Sequence, residues 1–477
     1  MDGACVQTLT GEYVRLPAPT VQTWQGRLRG PVLRPGDNGY EEARRIWNGM
    51  IDRRPALIVR AAGTADIIRT VEFARSRELL MSVRGGGHNV AGNAVAEGGL
   101  MLDLSALRWV QVDPVRRRAV VGPGAVLGDF DHEAQSFGLA TPLGIVSKTG
   151  VAGLTLGGGA GWLSRKFGLT VDNLLAADVV TADAKLVRAN DEENPDLFWA
   201  IRGGGGNFGV VTRFEFKLQA VGPEVLTGLF VYPLDESSKV LREFREYVKT
   251  VPDELSIFPV FLKAPPLPFL PAEFHGRAAI ALSSCYVGDH GRGVELIRPL
   301  GGFGKLSGSM CGPMPYVAWQ RTFDDLGGRP GARNYWKNHN LSGFSDGLID
   351  ALIESASKIP SVETIILMDH VGGQIKRPPA ETAVYGLRDA EFTLGFYGRW
   401  ENLADDEQVI EWVREGWSAA KPHATGSVYV NYMMDDEAER LTAAYGPHWE
   451  RLRELKSRWD PDNFFRMNQN IAPQKAV

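Results

Sequence analysis

The chain has 477 residues, too many for one ordinary hydrophobic core, so two domains or one large two-lobed unit are expected. Hydrophobic residues make up 44% and charged residues 23%, an ordinary balance for a globular protein, and the net charge of −5 comes without the basic stripe of a nucleic-acid binder. No run approaches the roughly 20 apolar residues of a membrane-spanning helix, and Cys5, Cys285 and Cys311 fit neither a zinc pattern nor a disulfide framework. The start, MDGACVQTLTGEYVRLP, lacks a basic stretch followed by an apolar run, so a reducing, cytoplasmic setting is expected.

Residues 55–83 read strand, helix, strand: PALIVRA, a helix with Thr64 as its N-cap and Ile67, Val71 and Ala74 at helical spacing, then LLMSVR. The second strand ends in Arg84-Gly85-Gly86-Gly87-His88-Asn89. GLMLDLS is a further strand, WVQVD with RRAVVGPG a hairpin through Arg116-Arg117-Arg118, and 125–139 a helix. Next comes the glycine-punctuated stretch TPLGIVSKTGVAGLTLGGGAGWLSRKFGLTVDN, then the hairpin LLAADVVTADAKLVRAN. DLFWAIRGGGGNFGVVTRFEFKLQ reads as helix, glycine loop and long strand.

Composition changes near residue 222. From there to about 420 the strands LTGLFVYPL, AAIALSSCYVG, TIILMDHVGG and FTLGFYGRW alternate with amphipathic helices such as DESSKVLREFREYVKTV, an α+β pattern with an antiparallel sheet. After about 421, SVYVNYMMDD is strand-like, AYGPHWERLRELKSRWDP is a helix stopping at Pro461, and NFFRMNQNIAP finishes the chain.

The 55 glycines are clustered. Three glycines directly after a strand let backbone N–H groups converge on an anion and hold His88 beside it; a tight turn with an incidental histidine fits the loop equally well. The run Gly157-Gly158-Gly159-Ala160-Gly161 is costly in conformational entropy unless something flat or anionic lies on it. It is no dinucleotide fingerprint, because Ser164 stands where the third glycine belongs. Gly203 to Gly206, with Asn207-Phe208-Gly209-Val210-Val211, is the third cluster. Ser147-Lys148-Thr149 lacks the glycines of a phosphate loop, and the dispersed histidines make no metal site. Gly343-Phe344-Ser345-Asp346-Gly347 matches a hydrolase elbow, but YWKNHNLS reads as too polar for the buried strand an elbow needs, so Ser345 is expected to cap a helix. If 428–434 is a strand, Tyr429 and Asn431 face one side and Val430 and Tyr432 the other. A phenol there serves either as a general base with a lowered pKa or as a satisfied core side chain.

The three glycine clusters and the C-terminal segment together resemble the berberine-bridge-enzyme-like branch of the vanillyl-alcohol-oxidase, or PCMH-type, flavoproteins. The resemblance runs from Pro55 through Leu218 and from Tyr429 through Pro473, with weaker matches at Tyr335-Trp336-Lys337, His370-x-Gly372-Gly373 and Arg399-Trp400. It implies a two-lobed α+β fold: a discontinuous FAD domain made of 1–222 and 421–477, and an antiparallel-sheet substrate domain, 223–420. It implies FAD bonded through its 8α-methyl to His88, with Arg84, Gly85, Gly86, Gly87, His88 and Asn89 at the pyrophosphate. Gly150, Val151, Gly153, Gly157, Gly158 and Gly161 would lie at the flavin and ribityl chain, Gly209 and Val211 near the adenine, and Asn431, Asn468 and Asn470 toward the isoalloxazine. Relatives often carry a second link, from a cysteine where this chain has Val146, so a single link is expected. Thr149 matches the position flanking oxygen's approach, and its small size favours an oxidase.

The reaction so implied is a two-electron oxidation of a small organic substrate (an alcohol, sugar, phenolic, alkaloid or polyketide), with Tyr432 as base, a hydride passing to flavin N5, and dioxygen becoming hydrogen peroxide. Tyr429 and His370 are the next candidates for the base. Trp336, His339, His370, Tyr385 and Tyr397 are candidate pocket residues, for each of which sheet packing is the competing role. A dehydrogenase with another acceptor and a non-redox flavoprotein are the rival functions. No nucleic-acid or membrane partner is expected, and the chain would act as a monomer or homodimer.

Overall fold

The computed structural model describes residues 3–378, 382–384, 388 and 390–474. Its largest sheet comes from the middle of the chain. Seven antiparallel strands follow the order Gly308–Pro315, Glu224–Pro233, Ala278–Tyr286, Leu255–Lys263, Ile365–His370, Phe392–Trp400 and Arg333–Leu341. Side chains alternate across a strand, so each supplies both faces. Ile366, Met368, Leu394 and Phe396 face a layer of helices, Ser237–Tyr247, Asp346–Ser357 and Asp406–Ala420, in one core. Ile365, Leu367 and Tyr397 face the other way and pack with Trp162, Leu163 and Phe323.

Among the described residues the second lobe holds two larger sheets and two two-stranded ribbons. Leu57–Arg60, Leu100–Asp103 and Met81–Arg84 run parallel, joined by the helix Thr64–Arg75, with Val32–Leu33 antiparallel at the edge. Thr64 is the first helical residue, not the cap; Gly63 holds the N-cap position without a side-chain bond. The other sheet is antiparallel, in the order Leu186–Ala189, Leu174–Val180, Val210–Lys217, Arg118–Val121, Val110–Asp113. Its core takes Val428, Val430, Met433, Tyr445, Leu452 and Ile471 from the far end of the chain. The protein is thus a two-lobed α+β fold with an antiparallel sheet facing the glycine-rich lobe.

Two segments differ from the sequence expectation. Arg333–Leu341, judged too polar for a buried strand, is one. Most of its polar groups are tolerated because they are paired, although Trp336 Nε1, Asn338 Nδ2 and His339 Nδ1 have no partner among the described residues. Lys337 meets Asp436 at 2.7 Å, Asn338 Oδ1 accepts the Tyr429 N–H at 3.0 Å, and Asn340 Nδ2 donates to Ser427 Oγ at 3.0 Å. Ser345 nonetheless caps the helix after it, its Oγ accepting the Leu348 N–H at 3.2 Å. The strand-like SVYVNYMMDD holds instead a short 3-10 turn, Val430–Tyr432, so strand alternation does not apply there.

Candidate active site

The glycine clusters meet in one cavity between the lobes. The strand Met81–Arg84 runs into Gly85–Asn89, and that loop lies directly on Gly150. A Cβ on Gly86 would sit 2.5 Å from Gly150 Cα, and one on Gly150 2.6 Å from Gly86 N, so only glycine permits this approach. Among the described residues, no backbone carbonyl accepts from the N–H groups of Gly85 through Asn89, which leaves a run of donors suited to an anion. The other clusters close on the C-terminal segment: a Cβ on Gly157 would sit 2.0 Å from Asn431 Oδ1, and one on Gly206 2.7 Å from Asn468 Oδ1.

Gly85, Gly86, Gly87, His88, Asn89, Thr149, Gly150, Gly153, Gly157, Gly209, Val211, Asn431 and Asn468 all line the cavity. Arg84, Val151, Gly158, Gly161 and Asn470 do not. Arg84 Nη1 donates to the Ala43 carbonyl at 2.6 Å, turned behind its loop. Val151 is buried in the core beneath the helix Val151–Leu156, and a Cβ on Gly161 would meet the Leu143 carbonyl at 2.0 Å. Gly158 adopts φ 122°, a conformation that favours glycine. Asn470 Oδ1 is buried without a partner among the described residues.

His88 stacks on Trp47, ring centroids 4.1 Å apart, and its Nε2 lies 3.3 Å from the Gly327 carbonyl oxygen. Desolvation pulls its pKa down to about 4, against the opposing pull of the Gly327 carbonyl, so the imidazole is neutral at ordinary pH. A neutral ring keeps one nitrogen lone pair for bonding.

Across the cavity stands the sheet. Trp336, Ile365, Leu367, Asp369 and Tyr397 line it, with Tyr432 from the C-terminal segment. Trp336, Tyr397 and Tyr432 meet edge to face at 4.8–5.9 Å. Tyr432 Oη donates to Asp369 Oδ2 at 3.2 Å. Burial raises the Asp369 pKa to about 7, opposed by the Tyr432 hydrogen bond. Burial, reinforced by the Asp369 charge, raises Tyr432 well above the ordinary phenol value, the opposite of the lowered pKa a base acting alone needs. Tyr429 Oη accepts from the Gly159 N–H and from Asn431 Nδ2, both at 2.9 Å, tying the second glycine cluster to the C-terminal segment. Burial raises its pKa to about 12.

Two histidines expected at the pocket lie elsewhere. His370 follows Asp369 and points to the opposite face, where its Nε2 sits 2.7 Å from Arg165 Nη1 and its ring stacks on Phe392. Burial and the Arg165 charge hold its pKa well below the ordinary value, and its place on the far face keeps it from the cavity as a base. His339 faces the helix layer, stacked on Trp417 with Nε2 3.0 Å from the Trp417 carbonyl oxygen. Tyr385 lies outside the described residues. Asp369 itself was missed, although the alternation Ile365, Leu367, Asp369 was available once either apolar neighbour was assigned to the cavity face.

Two family models match the chain: an FAD binding domain over residues 55–190, and a berberine and berberine-like segment over 428–472. An FAD-linked oxidoreductase of Dictyostelium discoideum is 32% identical over 452 residues, covering 94% of this chain and 95% of that protein. The (R)-6-hydroxynicotine oxidase of Paenarthrobacter nicotinovorans is 30% identical over 461 residues, covering 94% and 97%. The chain belongs to the berberine-bridge-enzyme-like family of FAD-linked oxidoreductases. The crystal structure of 6-hydroxy-D-nicotine oxidase from Arthrobacter nicotinovorans superposes with a TM-score of 0.84 at 29% identity, covering 94% of this chain and 98% of that one.

As a member of this family the protein is an enzyme that uses FAD, and its residues fit that cofactor. The Gly86–Gly150 contact packs two backbone segments of the cavity wall together without side chains. The N–H run of Gly85–Asn89 suits a pyrophosphate, and the aromatic and apolar sheet face opposite suits a substrate held against the ring.

Proposed function

We propose that this enzyme is an oxidase that carries FAD on a single covalent link, through His88, and oxidises a small organic substrate bound between the flavin and the sheet. The observation that carries the reading is one cavity with a neutral histidine on one wall and a coupled Asp369–Tyr432 pair on the other. Val146 lines the cavity and offers no thiol for a second link. Bound FAD supplies a hydride acceptor for the substrate carbon and passes the electrons to dioxygen, giving hydrogen peroxide.

The chain's own part is the proton. A substrate O–H or N–H donates to Tyr432 Oη as the Tyr432 proton moves to Asp369. An acceptor with a pKa near 7 matches neutral operation, and Tyr432 need never exist as a free phenolate. Trp336 and Tyr397 orient the substrate by ring contact. Small Thr149 on the cavity wall leaves room for dioxygen.

Acid precipitation tests the link. Wild type should keep its yellow colour in the pellet, and His88→Ala should release flavin to the supernatant. Peroxide formed in air with an oxidisable substrate supports the oxidase. Turnover only with an added acceptor would make it a dehydrogenase, and failure of any substrate to bleach the flavin anaerobically would leave a non-redox role.

A further inference from the structure

His88 is held by more than its own loop. Trp47 stacks on the imidazole with planes 20° apart. The same indole donates its Nε1–H to the Gly327 carbonyl at 2.7 Å, the oxygen that lies 3.3 Å from His88 Nε2. A carbonyl oxygen only accepts, so this contact favours the imidazole proton on Nε2 and the lone pair on Nδ1, against a competing backbone contact of His88 with its own ring. Arg399 adds a guanidinium carbon 5.4 Å over the Trp47 ring. The backbone repeats the convergence: Trp47 N–H donates to the Gly87 carbonyl and Gly331 N–H to the Trp47 carbonyl, both at 3.0 Å. Gly327 lies in the turn Asp324–Gly328, whose Asp324 carboxylate accepts from Ser147 N at 2.8 Å and from Ser147 Oγ at 2.6 Å. Three segments distant in sequence therefore converge on one ring, and Trp47 touches the other two.

We infer that Trp47 is a positioning residue for the attachment of FAD to His88: its ring face sets the plane of the imidazole, and the carbonyl they share favours its Nε2–H tautomer. The inference rests on the covalent reading above. In the attachment the imidazole and the 8α-methyl each give up one hydrogen, an N–C bond forms between them, and dioxygen takes up both hydrogens with their two electrons as hydrogen peroxide. Trp47 touches neither flavin nor substrate in this role. It acts by keeping the nucleophile neutral and aligned, and misplacement by about 1 Å can cost roughly a hundredfold in rate.

The test follows attachment, not turnover. Wild type, W47L, W47M and W47F are produced in riboflavin-starved cells and given FAD, and flavin retained in the acid pellet is measured against time and pH. Wild type should attach FAD at a rate nearly independent of pH above about 5, because its imidazole is already neutral. W47L and W47M, which fill space without a ring face, should be about a hundredfold slower. Their rates should also gain a step between about pH 5 and 7, as a solvated imidazole returns toward its ordinary pKa. W47F keeps the ring face and should recover most of the rate. A merely structural role for Trp47 would not create the pH step. Attachment by W47L or W47M at the wild-type rate with a flat profile would overturn the inference, and if W47L does not fold, W47M decides. Wild type that releases its flavin into acid would defeat the covalent reading instead, which is a separate outcome.

Discussion

Asp369 and His370 are neighbours in the chain and face opposite sides of one strand. One reaches the cavity, where burial raises its carboxyl to about 7; the other stacks on Phe392 of the helix-side core and meets Arg165, which reaches it from the glycine-rich lobe. A one-residue change of phase exchanges every side chain of a strand between faces, which is how a histidine can look catalytic in sequence and be structural in space. The Asp369–Tyr432 relay makes a definite prediction. Asp369→Asn and Tyr432→Phe should each lower turnover by about two to four orders of magnitude with flavin content unchanged, and Asp369→Asn should abolish the acid limb of kcat near pH 7. Wild-type turnover in either variant would remove that residue from proton transfer. Asp131 is a second buried acid, and its pKa is also pushed up to about 7 by burial, with only Gln320 Nε2 at 3.2 Å to oppose it. A raised folded-state pKa means that the stability from the neutral form is complete below the unfolded value near 4 and is lost as pH rises through about 7. Asp131→Asn keeps an acceptor for Gln320 and removes the titration. Urea unfolding at pH 5 and pH 8 should show a smaller loss of stability at pH 8 in the variant; equal losses in both proteins would count against this role of Asp131.

The elements that carry the site divide by how much of their logic is local. Glycine loops are legible because a backbone that must approach another backbone or an anion admits no side chain, whatever else surrounds it. Gly86 and Gly150 bear this out against each other's backbone, and Gly157 leaves the same kind of room for the Asn431 side chain. The strand Arg333–Leu341 was illegible for the opposite reason: its Asn, Lys and His residues are bought into the interior by partners about 80 to 100 residues away in the chain, such as Asp436, Trp417 and Tyr429. The C-terminal helix Trp449–Trp459 ends in a buried ion pair, Lys456 Nζ to Asp460 Oδ2 at 2.6 Å. Lys456 also donates to the Asn207 carbonyl at 2.7 Å, and Asp460 accepts the Phe464 and Phe465 N–H groups at 2.8 Å. The pair therefore pins the third glycine cluster to the loop bearing Asn468. Asp460→Asn leaves a buried ammonium without its counter-charge and should cost about 3–5 kcal/mol. Thermal unfolding measures the loss, and adding Lys456→Met to Asp460→Asn should recover part of it, because the stranded charge is removed while the amide oxygen still accepts one of the two N–H groups.

At the scale of the whole molecule the cavity exists only because two lobes press together. Trp162, from the glycine-rich lobe, stacks on Phe258 of the large sheet with centroids 4.2 Å apart and planes 13° apart, and Ser256 Oγ donates to the Trp162 carbonyl at 2.8 Å. Trp162 is fully buried, so Trp162→Ala should cost about 3–5 kcal/mol. The variant should show a clearly lowered unfolding midpoint by calorimetry; an unchanged midpoint would mean that the lobes are held elsewhere. The C-terminal segment binds the architecture from the other side, since Val428, Met433 and Ile471 complete a core begun by Ala119 and Val121.

The sequence alone determined what the backbone requires: the glycine loops, the strands with apolar runs, His88 at the end of its loop, and through their order the family and its cofactor. These depend on residue types at fixed local spacing, which a linear chain displays directly. Only the tertiary structure decided which sheet side chains reach the cavity, that Asp369 and not His370 stands beside Tyr432, and that the phenol is raised in pKa and paired, not lowered and free. Strand phase, burial and partners fix those properties, and the partners come from afar: the carbonyl that Trp47 shares with His88 lies 280 residues along the chain from the indole that binds it.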